Sequence, residues 1–300
     1  MISICPQSGP APVIRFLDKA RVTLGINVYY LTSKPVLQAI AADVHRGVKT
    51  YVIVDGAPYG IPRSAVIREL AHLRATGAHV HIAPKRFEGR YRFDHAKYAV
   101  SHGEVLIGSA NWDWSAFHRD RDYIDRSENP ALVAALERIF RADWYDRSAG
   151  DRGRSGAPTL VVSPGSEPTL ARVIDQPGHV DIEAEELGDD PAIVRAIEAK
   201  GADARIIFPM TLSASDRDQV AALQRHGVQV GFLPKRPVYL HAKMIVGPEA
   251  GFIGSQNFSR TSLNANREIG IMLYSGPDRA ALRRQFEIDW HDADHLHQPT

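Results

Sequence analysis

The sequence predicts an α/β fold made of two duplicated halves that face each other. Residues 95–111 (HAKYAVSHGEVLIGSAN) and 241–257 (HAKMIVGPEAGFIGSQN) share one pattern, a His-x-Lys followed by Gly-Ser-x-Asn. Around both segments, short apolar runs alternate with longer helix-like runs, which is typical of an α/β sandwich with a mixed sheet. The chain has 300 residues, which is enough for one large core or two modest ones.

The duplication extends well beyond the two motifs. Residues 47–56 correspond to 201–210, and residues 77–86 correspond to 227–236. The stretch 146–157 (DRSAGDRGRSGA) is rich in Gly, Ser and charged residues, as linkers are. We therefore expect a first half at 1–148, a linker at 149–157 and a second half at 158–300.

The elements of the first half follow from the lengths of its apolar runs. Short apolar runs are predicted as strands, namely 22–28, 48–54, 79–83, 95–100, 105–107 and one that contains Ile124. Helices are predicted at 35–46, 62–75 and 130–144. Duplicated halves pack most simply around a pseudo-two-fold axis, so equivalent loops meet in the middle and place the functional site between the halves.

Those loops carry a histidine and a lysine in each half. Residues two apart on a strand point to the same face, so His95 projects with Lys97, and His241 projects with Lys243. An imidazole can attack phosphorus or transfer a proton near neutral pH, and ammonium groups stabilise phosphoryl oxygens. The pattern therefore indicates a site that cleaves a phosphodiester without a metal.

The rest of each motif supplies neutral donors and an acid. Asn111 and Asn257 are predicted to act with the histidines, and Ser109 and Ser255 to bind phosphate. An acid follows each Asn by 11 residues. These acids, Asp122 and Glu268, suit the role of holding an imidazole by its second nitrogen.

Both segments resemble the HKD motif of the phospholipase D superfamily, and essentially the whole chain resembles its two-motif, internally duplicated form. The resemblance implies a metal-independent phosphodiesterase with a phosphohistidine intermediate and no cofactor. It also implies that His95 is the nucleophile and that His241 protonates the leaving group and then activates water. The two copies are nearly symmetric, so the sequence leaves the reverse assignment open.

The chain departs from that motif at one position in each copy. The family usually carries an Asp six or seven residues after the His, where this chain has Ser101 and His102, or Gly247 and Pro248. That Asp is expected to shape a hairpin turn, which Gly103 and the Gly-Pro pair can do instead. The missing Asp also leaves open a non-catalytic relative that binds phosphate.

Several further residues bear on the substrate. A basic substrate rim is expected, comprising Lys85, Arg86, Lys235 and Arg236, with Trp112 as an apolar lip. Three acids of the second half, Glu183, Glu185 and Glu186, either lie on an exposed strand face or face the cleft, where they would discourage a long polyanion.

Charge does not decide the substrate. The net charge is only +1, but residues 1–150 are net positive and residues 151–300 net negative. A phospholipid substrate is favoured, and a nuclease acting on DNA or RNA is the alternative.

The sequence shows no membrane-spanning run and implies no obligate protein partner, although a peripheral membrane contact stays open. We expect a bacterial-type soluble protein, either cytoplasmic or a mature exported form without its signal peptide.

Overall fold

The structure of the protein is a computed structural model that describes residues 2–147 and 157–295, with only the backbone of Ala214 and Ser215. The predicted linker at 149–157 lies outside the described residues except for Ala157, which is buried. The domain boundaries placed there stay a prediction. None of the described helices combines the length and apolarity that a bilayer crossing requires.

The first half contains seven strands and five helices among its described residues. In chain order they are β1 (Ile2–Cys5), α1 (Ala11–Leu17), β2 (Thr23–Val28), α2 (Lys34–His45), β3 (Lys49–Val54), α3 (Arg63–Ala75), β4 (His79–Ile82), β5 (Lys97–Ser101), β6 (Glu104–Gly108), α4 (Trp114–His118), β7 (Asp120–Ser127) and α5 (Pro130–Trp144). The predicted strands and helices are all present, with ends that differ by a few residues. His95 lies just before β5 and not within it.

The second half repeats this order within its described residues. It contains β8 (Leu160–Ser163), α6 (Glu167–Ile174), β9 (Val180–Ala184), α7 (Pro191–Lys200), β10 (Ala204–Pro209), α8 (Ala214–Arg225), β11 (Gln229–Leu233), β12 (Tyr239–Leu240), β13 (Lys243–Val246), β14 (Gly251–Gly254), α9 (Arg260–Asn264), β15 (Glu268–Leu273) and α10 (Gly276–Asp292).

The two sheets have the same topology, which confirms the predicted duplicated α/β fold. One sheet has the order β1-β7-β6-β5-β2-β3-β4, and the other has β8-β15-β14-β13-β9-β10-β11. In each, the three strands at one end are parallel and the rest are antiparallel. The equivalent strands β5 and β13 follow directly after His95 and His241, so both histidines lie at the same place in their sheets.

Three apolar clusters hold this arrangement together. One lies within the first half around β2 and α2, and a second lies within the second half around β9 and α7. The third is shared, because it contains Tyr98 and Leu136 from the first half and Met244 and Phe286 from the second. The inner faces of both sheets, with α5 and α10, therefore form one continuous core between the halves.

Reciprocal backbone contacts relate the halves as a two-fold axis would. Leu240 pairs with Arg121 of β7, and Asp94 forms the equivalent bridge with Arg267 before β15. Such exchange, in which each half uses the same surface, is the signature of an isologous interface.

Two buried Arg–Asp pairs reinforce that interface. Arg121, which is 1% exposed, donates to both carboxylate oxygens of Asp289 in α10 at 2.6 and 2.9 Å. Arg267, also 1% exposed, donates to Asp143 of α5 at 3.0 Å. Each arginine directly precedes one of the predicted site acids, so the pairs fix the strand ends that carry Asp122 and Glu268.

The hairpin turns that lack the motif aspartate are built in two different ways. In the first half, Gly103 adopts a positive φ of 84°, a conformation that glycine tolerates without strain. In the second, the Gln176 carboxamide accepts from the backbone N–H groups of Glu249 and Ala250 at 2.8 and 2.9 Å. A Cβ at Gly247 would lie 2.2 Å from that carboxamide. Gln176 therefore occupies the space beside the turn and bonds it from outside the motif.

We predict that Asp289→Ala will strongly destabilise the protein, because it removes the carboxylate that is hydrogen-bonded to the buried Arg121 guanidinium. Removing one partner of a buried ion pair typically costs about 3–5 kcal/mol. The measurement is the free energy of unfolding in urea. The control is Glu128→Ala, which removes a 66% exposed partner of Arg126 and should cost less than about 1 kcal/mol. Equal effects of the two substitutions would contradict a clamping role for the buried pair.

Candidate active site

The backbone N–H and the ring Nδ1 of His95 are both hydrogen-bonded to the second half. Its backbone N–H donates to the carbonyl oxygen of Arg267 at 2.8 Å. Its ring Nδ1 lies 2.9 Å from Oε2 of Glu268 and 3.2 Å from the carbonyl oxygen of Ser255. Because a carboxylate only accepts hydrogen bonds, Nδ1 carries a proton and Nε2 is the atom left for chemistry.

His241 has the reciprocal arrangement with the first half. Its backbone N–H donates to the carbonyl oxygen of Arg121 at 3.3 Å, and its Nδ1 lies 2.8 Å from Oδ1 of Asp122. Each histidine is thus oriented by the acid of the opposite half. The sequence placed an acid behind each imidazole but did not reveal that the partners cross over.

The two lysines are buried beside their histidines. Lys97 and Lys243 are each 1% exposed, and each Nζ donates to the carbonyl oxygen of its own histidine at 2.6 Å. Burial, assisted by the Lys243 ammonium group and opposed by Glu268, lowers the pKa of Lys97 to about 7. The two ammonium groups therefore act on each other within one site.

The serines of the motifs hold the site together from inside. Ser109 is fully buried and donates to Oδ1 of Asp122 at 2.6 Å, and Ser255 is fully buried and donates to the carbonyl oxygen of Ile269 at 3.3 Å. Both hydroxyl protons are donated within the protein in this structure, and phosphate binding by these serines stays a prediction.

Glu268 is held by two residues that sequence reasoning missed. Its Oε1 accepts from Ser262 Oγ at 2.7 Å and from Asn266 Nδ2 at 3.0 Å. Both lie within six residues before Glu268, in the polar loop around α9. Their polar type was visible in the sequence, but nothing distinguished them from ordinary loop residues.

Asn111 and Asn257 are half-buried. They lie just after β6 and β14, the second strand of each motif. The Oδ1 atom of each is buried and accepts no hydrogen bond from the described residues. Asn257 donates through Nδ2 to Oε2 of Glu186 at 3.0 Å. The catalytic role expected of the two amides stays a prediction.

The acids at 183–186 do not lie on an exposed strand face. Glu183 is fully buried, and Glu185 and Glu186 face the site. Oε2 of Glu185 accepts from Nζ of Lys243 at 2.6 Å and lies 3.6 Å from Nε2 of His241. The reading in which these acids face the cleft therefore holds for Glu185 and Glu186.

The predicted substrate rim is only partly at the surface. Lys85, Lys235 and Arg236 are exposed. Arg86 is instead held by Asp143 at 2.5 Å and by Asp146, so its charge is neutralised within the protein. Trp112 is 1% exposed and packs in the first-half core beside Leu31, and its role in a substrate rim stays a prediction.

The surroundings of the two histidines shift their pKa values in opposite directions. Burial lowers the pKa of His95 to about 4, assisted by Lys97 and Lys243 and opposed by Glu268. Burial also opposes protonation of His241, but the carboxylates of Asp122 and Glu185 outweigh it and raise the pKa of His241. The pKa values of the two histidines are therefore pushed apart, which favours the neutral imidazole at His95 and the imidazolium at His241, the combination that a nucleophile and a proton donor need.

Comparison with protein families gives a match over most of the chain. The family described as "Cardiolipin synthase, PLD-like domain" matches residues 13–144 and 179–290, one segment in each half. A curated relative, mitochondrial cardiolipin hydrolase of Xenopus laevis, is 27% identical over 128 residues. That alignment covers 42% of this chain and 57% of the relative, so the chain spans little more than half of that protein's length.

Solved structures share the fold across both halves. Polyphosphate kinase of Porphyromonas gingivalis superposes with a TM-score of 0.73 at 15% identity, covering 100% of this chain and 53% of that one. Phosphatidylserine synthase of Haemophilus influenzae gives 0.71 at 11% identity, covering 98% and 87% of the two chains. At these identities the likeness concerns the fold alone.

Proposed function

The chain belongs to the phospholipase D superfamily, and from this premise we propose that it is a metal-independent phosphodiesterase that works through a phosphohistidine. The observation that carries the proposal is the reciprocal pairing of His95 with Glu268 and of His241 with Asp122. Two oriented imidazoles with two buried lysines supply a nucleophile, a proton donor and positive charge for the phosphoryl oxygens.

In the first step, Nε2 of neutral His95 attacks phosphorus and the bond to the leaving oxygen breaks. His241 donates its Nε2 proton to that oxygen, so the product leaves as an alcohol. Lys97 and Lys243 stabilise the charge on the equatorial oxygens, and Glu268 stabilises the positive charge that develops on the His95 ring.

In the second step, water attacks the phosphohistidine. His241, now neutral, takes the proton from the water, and the bond between phosphorus and Nε2 of His95 breaks. The phosphomonoester leaves and both histidines return to their starting states. The same residue acts first as acid and then as base, as microscopic reversibility requires.

A phospholipid is the substrate class that we favour. The family description and the name of the curated relative both refer to cardiolipin, which is a phospholipid. Glu185 places an ionised carboxylate at the site, and burial raises the pKa of the neighbouring Glu186 to about 7, so the negative charge there disfavours a polyanion relative to an isolated diester. Trp114 is 65% exposed on α4, directly after the first motif, where an aromatic side chain can contact a lipid surface.

A nuclease is the second candidate, because one loop of the first half has the composition of a nucleic-acid surface. Lys85, Arg90 and Arg92 are exposed there, and Arg90 lies over the ring of Tyr91, which is 55% exposed. Exposed basic and aromatic side chains together can bind a phosphate backbone and stack bases.

We predict that the protein hydrolyses bis(p-nitrophenyl) phosphate in EDTA and that His95→Ala and His241→Ala each lower turnover by at least about 100-fold. Both histidines are needed because each performs a different proton or bond transfer. The matched control is His45→Ala, since His45 is exposed on α2 and far from the motifs in sequence. Loss of wild-type activity in EDTA would contradict a metal-independent site.

A second prediction concerns the dependence of kcat/KM on pH. Activity requires neutral His95, so it should fall as the pH drops through about 4. It also requires protonated His241, whose pKa is raised, and the Lys97 ammonium group, whose pKa is lowered to about 7, so it should fall as the pH rises above neutrality. The measurement is a profile from about pH 3.5 to 10. An acidic limb centred near the ordinary histidine pKa would contradict the assignment of His95 as a neutral nucleophile.

A third prediction separates the two substrate classes. Vesicles containing cardiolipin and a single-stranded oligonucleotide are supplied separately in EDTA at two salt concentrations. We expect faster cleavage of the lipid with little dependence on salt. Preferential cleavage of the oligonucleotide, with affinity that falls steeply with salt, would instead support the nuclease.

A further inference from the structure

The duplicated halves place different residues at one equivalent position of the site. Tyr29 and Glu185 both follow the strand that pairs with the motif strand, at the ends of β2 and β9. The backbone N–H of Tyr29 donates to Ala96 at 3.0 Å, and that of Glu185 donates to Ala242 at 3.1 Å. The two positions are therefore structurally equivalent, but the first half has an aromatic residue there and the second half has an acid.

In the first half, this position gives the site an aromatic surface. The Tyr29 ring lies edge-on to the ring of His95, with 4.6 Å between centroids, and Nζ of Lys97 lies 4.8 Å from its centroid. The Tyr29 hydroxyl accepts from the backbone N–H of Tyr59 at 2.5 Å. Tyr29 thus covers His95 and brings no negative charge.

In the second half, the same position gives the site a carboxylate. Oε2 of Glu185 accepts from Nζ of Lys243 at 2.6 Å and lies 3.6 Å from Nε2 of His241. Among the described residues, His95 lies within ion-pair distance of one carboxylate, that of Glu268. His241 lies within that distance of two, since Asp122 faces Nδ1 and Glu185 faces Nε2.

We propose that Glu185 is the positioning residue that gives this nearly symmetric site its chemical direction. Its carboxylate favours the imidazolium form of His241 and holds the Lys243 ammonium group beside it. The equivalent Tyr29 leaves His95 to be the neutral nucleophile. This inference rests on the proposed function, because direction has meaning only if the two histidines act in sequence on one phosphorus.

The charges around His241 allow this role. The groups that face it are Asp120 and Asp122 from β7, Lys243 from β13 and Glu185 after β9. Lys243 opposes the imidazolium, and Asp122 has a counterpart at His95, so Glu185 is the contribution without an equivalent in the first half. Burial raises the pKa of Glu185, but His241 and Lys243 outweigh it and hold the pKa at about 2, so the carboxylate is ionised at neutral pH.

The position of Glu185 also fits the reaction. Nε2 of His241 is the atom that must reach the leaving oxygen, and the Glu185 carboxylate lies beside it at 3.6 Å, beyond a good hydrogen bond. A substrate oxygen can therefore take the proton while Glu185 remains bonded to Lys243. Glu185 acts through His241 and Lys243 and exchanges no proton itself.

The test is Glu185→Gln, which keeps the shape and removes the charge. Histidine ring resonances are followed by NMR against pH in the full chain, and the His241 signal is identified by its absence in His241→Ala. We expect the His241 midpoint to fall by about 1–3 pH units, as expected when a charge within a few ångströms is removed. The alkaline limb of kcat/KM should move to lower pH with it, and by more than the acidic limb, because the Glu185 carboxylate lies within ion-pair distance of His241 and not of His95.

Two further variants separate charge from structure. Glu185→Asp keeps the charge, so its His241 midpoint should stay closer to that of the wild type than the midpoint of Glu185→Gln. Glu249→Gln makes the same chemical change at an exposed position of the second half and should move neither midpoint nor limb.

An unchanged His241 midpoint in Glu185→Gln would overturn the inference. A shifted midpoint with an unchanged alkaline limb would also overturn it, because His241 would then not be the proton donor that Glu185 controls. A wild type that hydrolyses no diester would instead contradict the proposed function. In that case the NMR midpoint alone still decides whether Glu185 sets the protonation of His241.

Discussion

Each histidine of the site depends on a carboxylate from the opposite half of the chain. Glu268 holds His95 and Asp122 holds His241, at 2.9 and 2.8 Å. An imidazole fixed at Nδ1 presents Nε2 in one direction, which is the geometry that attack and proton transfer need. Neither half contains a complete pair, so the docking of the halves is a condition for the site. The shared apolar core and the Arg121–Asp289 and Arg267–Asp143 pairs secure that docking.

The same exchange makes it possible to bury this many charges. Lys97, Lys243 and Glu268 are almost fully buried, and removing such groups from water is costly unless each is hydrogen-bonded and paired. Glu268 accepts from three partners, and each lysine donates to the backbone of its own histidine. The resulting field is not symmetric, because the second half adds Glu185 where the first half has Tyr29. The duplicated fold thus provides two similar histidines, and the difference between Tyr29 and Glu185 separates the chemical roles that we propose for them.

The sequence predicted most of the fold and the central residues of the site. Repeated motifs and short apolar runs located the strands, since a duplicated pattern is visible without any knowledge of contacts. It could not reveal which acid serves which histidine, because that depends on how the halves dock. The sequence alone does not show that the Ser109 hydroxyl donates to Asp122. It also does not show that Trp112 is buried, because a large aromatic side chain next to the motif packs inward as readily as outward. Gln176, which bonds the turn without the motif aspartate, lies far from that turn in sequence.

The most direct test is to trap the covalent intermediate. His241→Ala lacks the group that activates water, whereas p-nitrophenolate can leave without a proton donor. Mixing this variant with bis(p-nitrophenyl) phosphate in EDTA, stopping the reaction in alkali and mapping peptides by mass spectrometry locates the adduct. We expect one p-nitrophenylphosphoryl group on His95, formed with one equivalent of p-nitrophenolate. An adduct on another residue, or wild-type turnover with no adduct on His95 in the variant, would contradict it.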